Sequence, residues 1–112
     1  MADDETPDTR SWLERMSLKR SDLKLVATPG VDKTFSSATI CKFVARHYAG
    51  DFGSADGEMN ECTIEDGGGS MMSCFVAEDK TGTSTAMWVI TSVQFDKTFD
   101  VDVTTVLLPS EY

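Results

Sequence analysis

The chain has 112 residues, a formal net charge of −9, one histidine and three cysteines. That length suits a single domain burying roughly two thirds of its unfolded surface, and Cys41, Cys62 and Cys74, an odd set without a C-x-x-C pair, indicate neither a disulfide framework nor a zinc cage. The start MADDETPDTR is acidic with no apolar run behind it, and apolar stretches elsewhere are a handful of residues long, so neither a signal peptide nor a membrane span is expected and the cytoplasm is the expected location.

Charge is unevenly distributed. Residues 1 to 48 carry eight basic and seven acidic side chains, whereas residues 49 to 112 carry only Lys80 and Lys97 against twelve carboxylates. A half so anionic repels nucleic acid and attracts basic surfaces over about 8 Å, the Debye length at physiological salt. Direct DNA or RNA binding is disfavoured. Acidity also keeps small proteins soluble or suits a salt-rich habitat, so charge alone assigns no role.

In chain order, residues 1 to 22 read as an N-terminal extension and residues 23 to 112 as one α+β domain. Ser11 and Glu14 form a capping box before Trp12, Leu13 and Met16, which predicts a short helix over residues 12 to 19. Ser21-Asp22-Leu23-Lys24 matches S-x-x-K by letters only, in a chain too small for that machinery. Leu23 to Ala27 reads as a strand ended by Thr28-Pro29-Gly30, and a turn of helix follows near residues 31 to 35.

The main helix is predicted after Ser36 or Ser37. Ile40, Phe43, Val44, His47 and Tyr48 recur on one apolar face, and Gly50 supplies a left-handed stop. This register points Lys42 and Arg46 outward and places His47 within the buried stripe. The histidine is therefore expected to be a core residue, with Asp51 bonding turn amides and Arg46 pairing with Asp51 or another acid. The rival reading makes Arg46, His47 and Asp51 the catalytic group of a small enzyme; it needs a register that exposes His47.

Residues 51 to 69, DFGSADGEMNECTIEDGGG, invite a calcium reading that the spacing refuses. With Asp56-Gly57 at the fifth and sixth places of an EF-hand loop, Phe52 and Thr63 would fall where carboxylates are required. The three glycines precede a strand and no Lys-Ser/Thr, so they form no phosphate loop. An acidic mobile loop is expected here, with no metal and no cofactor.

The remainder alternates in the strand manner over residues 70 to 77, 85 to 92 and 98 to 108, predicting an antiparallel three-stranded meander. With the strand at Leu23 on an edge, this becomes a two-layer domain of three to four strands covered by one main helix, plus the short N-terminal helix. In the last strand, Phe99, Val101, Val103, Thr105 and Leu107 are expected to face the core beside Trp88 and Ile90. Asp100 and Asp102 would then line the solvent face with Asp96 nearby. The terminal LLPSEY is expected to fold back on the core.

VATPG at 26 to 30, VARHYAGDFG at 44 to 53, MWVIT at 87 to 91 and VTTVLLPSEY at 103 to 112 resemble a family of small bacterial proteins described as plasmid-related or uncharacterised. Its members read V-A-T-P-G, L-A-R-H-x-x-G-D-W-G, I-W-I-I-T and T-T-I-L-L-P-x-E-Y in the same order. Here Phe52 replaces the tryptophan, and SVQFDKTFDVD replaces a short D-R-S turn. The resemblance implies an accessory protein of plasmids, phages or other mobile DNA and supplies no catalytic residues. No glycine-rich strand-helix turn or N-P-P-Y motif is present for a methyl donor or a flipped base.

The expectation drawn from charge and resemblance together is a non-enzymatic acidic module. Its Asp96, Asp100, Asp102, Glu78, Asp79, Glu65 and Asp66 would meet a basic surface of a host nucleic-acid-binding complex, such as a CRISPR effector or restriction enzyme, inhibiting it by nucleic-acid mimicry. The alternatives are the small enzyme above and an oligomerising accessory protein of plasmid maintenance. A homodimer remains among the open choices of assembly.

Overall fold

A computed structural model describes residues 11–95 and 102–112. Four strands, β1 (Lys24–Ala27), β2 (Gly69–Glu78), β3 (Ser84–Val93) and β4 (Val103–Leu107), form one sheet in the order β1-β4-β3-β2. The last three build the expected antiparallel meander. The edge strand β1 pairs with β4 in parallel, so the sheet is mixed and not wholly antiparallel. Together with its helices this makes an α+β domain.

The first helix, α1 (Trp12–Arg15), starts at the capping box: Glu14 N–H donates to Ser11 Oγ, and Glu14 Oε1 accepts from Ser11 N–H. It is shorter than expected because Ser17 turns to a φ of 59°, which ends helical geometry. One turn cannot persist alone. It is held by burial of Trp12, Leu13 and Met16 and by the Trp12 indole N–H, which donates to the His47 carbonyl at 2.9 Å. Thr28 caps α2 (Pro29–Thr34), with proline at its first turn and Val31 buried.

In α3 (Ser37–Tyr48), Ser36 caps the start through Thr39 N–H, and Gly50 takes a φ of 91° just beyond the end. Ile40, Phe43, Val44, His47 and Tyr48 are all buried, as the periodicity requires. The expected acidic loop contains a further helix, α4 (Gly57–Asp66). Asp56 Oδ1 accepts from the N–H groups of Glu58 and Met59 at its start, and Gly67, at a φ of 79°, closes its end. Pattern reading misses α4 because its apolar residues are few, and its main anchor is polar: Asn60, which is buried.

The sheet's two faces are the reverse of those expected. Met87, Val89, Thr91 and Val93 of β3, and Asp102, Thr104 and Val106 on and beside β4, are buried on the helix side. Trp88 and Ile90 lie half-buried on the opposite face with Thr105 and Leu107, to which the strand register joins them. Period-two alternation separates the two sets of side chains but does not name the covered one, and here both sets contain apolar residues. The proposed carboxylate row fails at Asp102. It is only 8% exposed, its Oδ1 accepts from Gln94 N–H at 2.8 Å, and its carbonyl accepts from Lys24 N–H. Asp96, Asp100, Phe99 and Val101 lie outside the described residues.

Candidate functional site

The RHYAGDFG stretch splits into two structural jobs. Arg46 lies on the outer side of α3, with Nε and Nη2 donating to Asp51 Oδ2 at 2.7 and 2.6 Å, and its guanidinium stacks over Phe43 and Phe75 at 4.9 and 5.0 Å. Asp51 Oδ1 also accepts from Gly53 N–H. That amide and then the guanidinium hold the Asp51 carboxyl below the usual carboxylate range. Gly53, at a φ of 62°, lets the chain bridge to β2; a Cβ there would run into the Cys74 carbonyl oxygen.

His47 points the other way and is fully buried. Its Nδ1 lies 2.6 Å from Ser73 Oγ and its Nε2 2.9 Å from Thr91 Oγ1. Thr91 and Thr104 hydroxyls meet at 2.8 Å, and Tyr48 O–H donates to Thr104 at 2.7 Å. One donor order satisfies every atom: Tyr48 to Thr104, Thr104 to Thr91, Thr91 to Nε2, then Nδ1–H to Ser73 and Ser73 to the Asp51 carbonyl. This order requires a neutral imidazole, and desolvation lowers the His47 pKa to about 4. The arrangement ties α3 to β2, β3 and β4. With no open space at either ring nitrogen, it offers no substrate a base, so the Arg46/His47/Asp51 catalytic reading loses its requirement that His47 be exposed.

The other described acids of the expected site, Glu65, Asp66, Glu78 and Asp79, are not gathered together. Glu65 and Asp66 are exposed at the end of α4, beside the start of β2. Glu78 and Asp79 lie at the other end of β2, roughly 30 Å of strand away. Asp79 organises the β2–β3 turn: it accepts from the hydroxyls of Thr81 and Thr85 and the amides of Thr81 and Thr83, which depress its pKa strongly. Asp79 is thus a turn residue. Glu78 is exposed at the end of its strand. Among the described residues, no three His, Cys, Asp or Glu side chains are grouped as for a metal ion, and no helix is long and apolar enough to cross a membrane.

What sequence reasoning overlooks is α4 with the sheet edge beside it. Asn60 closes a two-point bond with the β2 backbone, its Nδ2 donating to Met72 O at 2.8 Å and its Oδ1 accepting from Met72 N–H at 2.9 Å. Thr63 Oγ1 donates to Ser70 O, Cys74 N–H donates to Phe52 O, and Ser54 N–H donates to Cys74 O. The outward backbone groups of Met72 and Cys74 and the Ser70 carbonyl are thereby occupied, which protects this half of the sheet edge. Between α4 and β2 a cleft of about 400 Å³ opens, lined by Ser54, Ala55, Met59, Asn60, Met72 and Cys74. Asp56, which caps this helix and whose calcium reading the spacing refuses, was the available signal for it.

Beside that cleft is the uncovered side of the sheet. Met72, Cys74, Val76, Ala86, Trp88 and Ile90 follow one another there through the β2–β3 register. Val76 is 68% exposed. The C-terminal segment does fold back, but onto this side and not the core: the Tyr112 ring meets Trp88 edge-on at 5.4 Å, and Glu111 accepts from the Thr28 hydroxyl at 2.6 Å. No family model, curated protein or solved structure matches the chain.

Proposed function

We propose that this protein is a non-enzymatic binding module whose partner carries apolar surface edged with basic side chains. The observation that carries this reading is the pairing of an uncovered apolar sheet face with an acidic helix along its β2 margin. A β3 strand reading Ala86-Met87-Trp88-Val89-Ile90 is apolar on both sides, the pattern of a strand covered on both sides, yet the α-helices cover one side and the C-terminal segment only part of the other. The acids of α4 are also poorly explained by stability. Glu65 and Asp66 stand at the negative end of the helix with no basic residue in its last turn, an arrangement costing about 0.3–1 kcal/mol each.

Glu58, Glu65 and Asp66 are exposed along α4, and Glu61 pairs with Arg15 of α1. Basic residues of a partner reaching this helix would gain charge-assisted contacts and faster encounter. A nucleic-acid-binding host complex is the partner class that fits such acids. The likeness to plasmid-related proteins makes CRISPR effectors and restriction enzymes the first to try, with the protein acting as an inhibitor that occupies their basic surface. The mimicry proposed is a short acidic ridge, because Asp102 is withdrawn from any longer wall.

The test is capture of purified effector or restriction complexes at low and high salt by the parent chain, by Glu58→Gln/Glu65→Gln/Asp66→Asn, and by Val76→Ser. Capture that weakens with salt and falls in both variants is expected. Binding that ignores salt and both substitutions, or binding by none of the complexes, overturns the reading.

A further inference from the structure

The two edges of the sheet are treated differently. The β2 edge is closed from Ser70 to Cys74 by Asn60, Thr63 and the Phe52–Ser54 backbone, whereas all four residues of β1 are exposed, with Leu25 at 48% and Val26 at 37%. In the parallel ladder, Lys24 N–H donates to Asp102 O and Thr28 N–H to Val106 O. The even-numbered residues therefore turn their backbone groups toward β4. Leu25 and Ala27 turn theirs outward, and no described segment pairs with them.

We infer that β1 is the seam of a symmetric homodimer, in which two copies pair antiparallel across a two-fold axis at Val26 and continue one sheet into the other. This register lets Leu25 and Ala27 each exchange N–H and C=O with Ala27 and Leu25 of the second copy, using every outward group. It also sets Lys24 opposite Thr28 of the second copy, on the same face of the joined sheet. Thr28 already holds the Glu111 carboxylate through its hydroxyl, so each lysine meets an anion fixed beside its position. Centring the pairing on Lys24 would instead oppose two lysines, which excludes that register.

Net charge does not forbid the approach, although the chain carries −9. Residues 11 to 48, which include β1, hold seven basic and three acidic side chains. The acidic α4 lies at the far edge of each sheet, and the dimer would carry one such helix at each outer end. This seam is independent of the apolar face proposed above to bind a partner, and either can fail alone. If both hold, the partner is met bivalently.

The experiment is sedimentation of the full chain from micromolar to millimolar concentration at low salt. Concentration-dependent dimers are expected. Leu25→Pro removes only an outward amide, a position where an edge strand accepts proline, and Val26→Lys opposes like charges on the axis. Each should weaken dimerisation by about tenfold or more while circular dichroism stays that of the parent. Lys24→Glu should weaken it as well, and Lys24→Glu/Glu111→Lys should restore it. A chain that stays monomeric at millimolar concentration overturns the inference. So does a dimer that tolerates Val26→Lys, or a double charge reversal no better than Lys24→Glu alone. Should Leu25→Pro unfold, Val26→Lys and the charge swap decide.

Discussion

The covered face of this sheet sets a chain of hydroxyls among buried apolar side chains such as Met71, Phe75, Met87 and Val89, whereas the open face is also largely apolar but carries no such chain. Beneath α3 lie Ser73, Thr91 and Thr104, joined to His47 and Tyr48. On the open side lie Met72, Val76, Trp88 and Ile90. Polar atoms are tolerated under the helix because each finds a partner, and an unpaired hydroxyl there would cost about 1–3 kcal/mol. Val76 on the open side, largely exposed, has no such internal reason. The contrast teaches that the hydroxyls within the covered face specify how α3 sits, while the open apolar face is available for something outside the domain.

The severest break of that contrast is His47→Ala. It opens a cavity beside Trp12 and Phe52, whose rings stand 5.4 and 6.1 Å from the imidazole, and it strands the Ser73 and Thr91 hydroxyls. Stability should fall by about 3–5 kcal/mol in chemical denaturation. Acid should act through the same residue. The folded-state pKa of about 4 lies below the unfolded value of 6.5, so the unfolded chain binds the extra proton between them. The stability linked to neutral His47 is complete above pH 6.5 and is lost as pH falls toward 4, amounting to about 3 kcal/mol. Denaturation midpoints across that window should show this slope, and His47→Gln should remove it. A slope that survives the substitution would assign it to other groups.

Thr104→Val keeps the shape but withdraws the hydroxyl that accepts from Tyr48 and meets Thr91. A loss of about 1–2 kcal/mol in denaturation is expected, smaller than that of the histidine because Tyr48 remains packed. On the other face, Val76→Ser should change stability by no more than about 0.5 kcal/mol while reducing partner capture. Equal stability losses at Thr104 and Val76 would dissolve the distinction between the faces.

Much of the helical layer was legible. Ile40, Phe43, Val44, His47 and Tyr48 mark one face of α3 by spacing alone, and Ser11, Ser36 and Gly50 mark ends by local backbone chemistry. The same reading expected Asp51 to bond turn amides and Arg46 to pair with Asp51 or another acid, and the Asp51–Gly53 bond and the Arg46–Asp51 pair fall within that expectation because they lie within a few residues along the chain. The α4 helix was not legible as such. Asp56 and Gly67 are serviceable end signals, but what steadies the helix between them is the bond from Asn60 to Met72 of β2, twelve residues away. A polar anchor leaves no apolar period to read.

By itself, then, the sequence determined where strands and the main helix run, that His47 belongs to a buried stripe, and how unevenly charge is shared between the halves. Only the tertiary structure decided which face of the meander is covered, that β1 joins β4 in parallel, and that Asp102 turns inward. The physical reason is the reach of the interactions concerned. Periodicity and capping act within one or two turns of chain, whereas the side of a sheet that a helix covers depends on partners such as Ser73, Thr91 and Thr104. These lie up to 57 residues beyond His47 and come together only on folding.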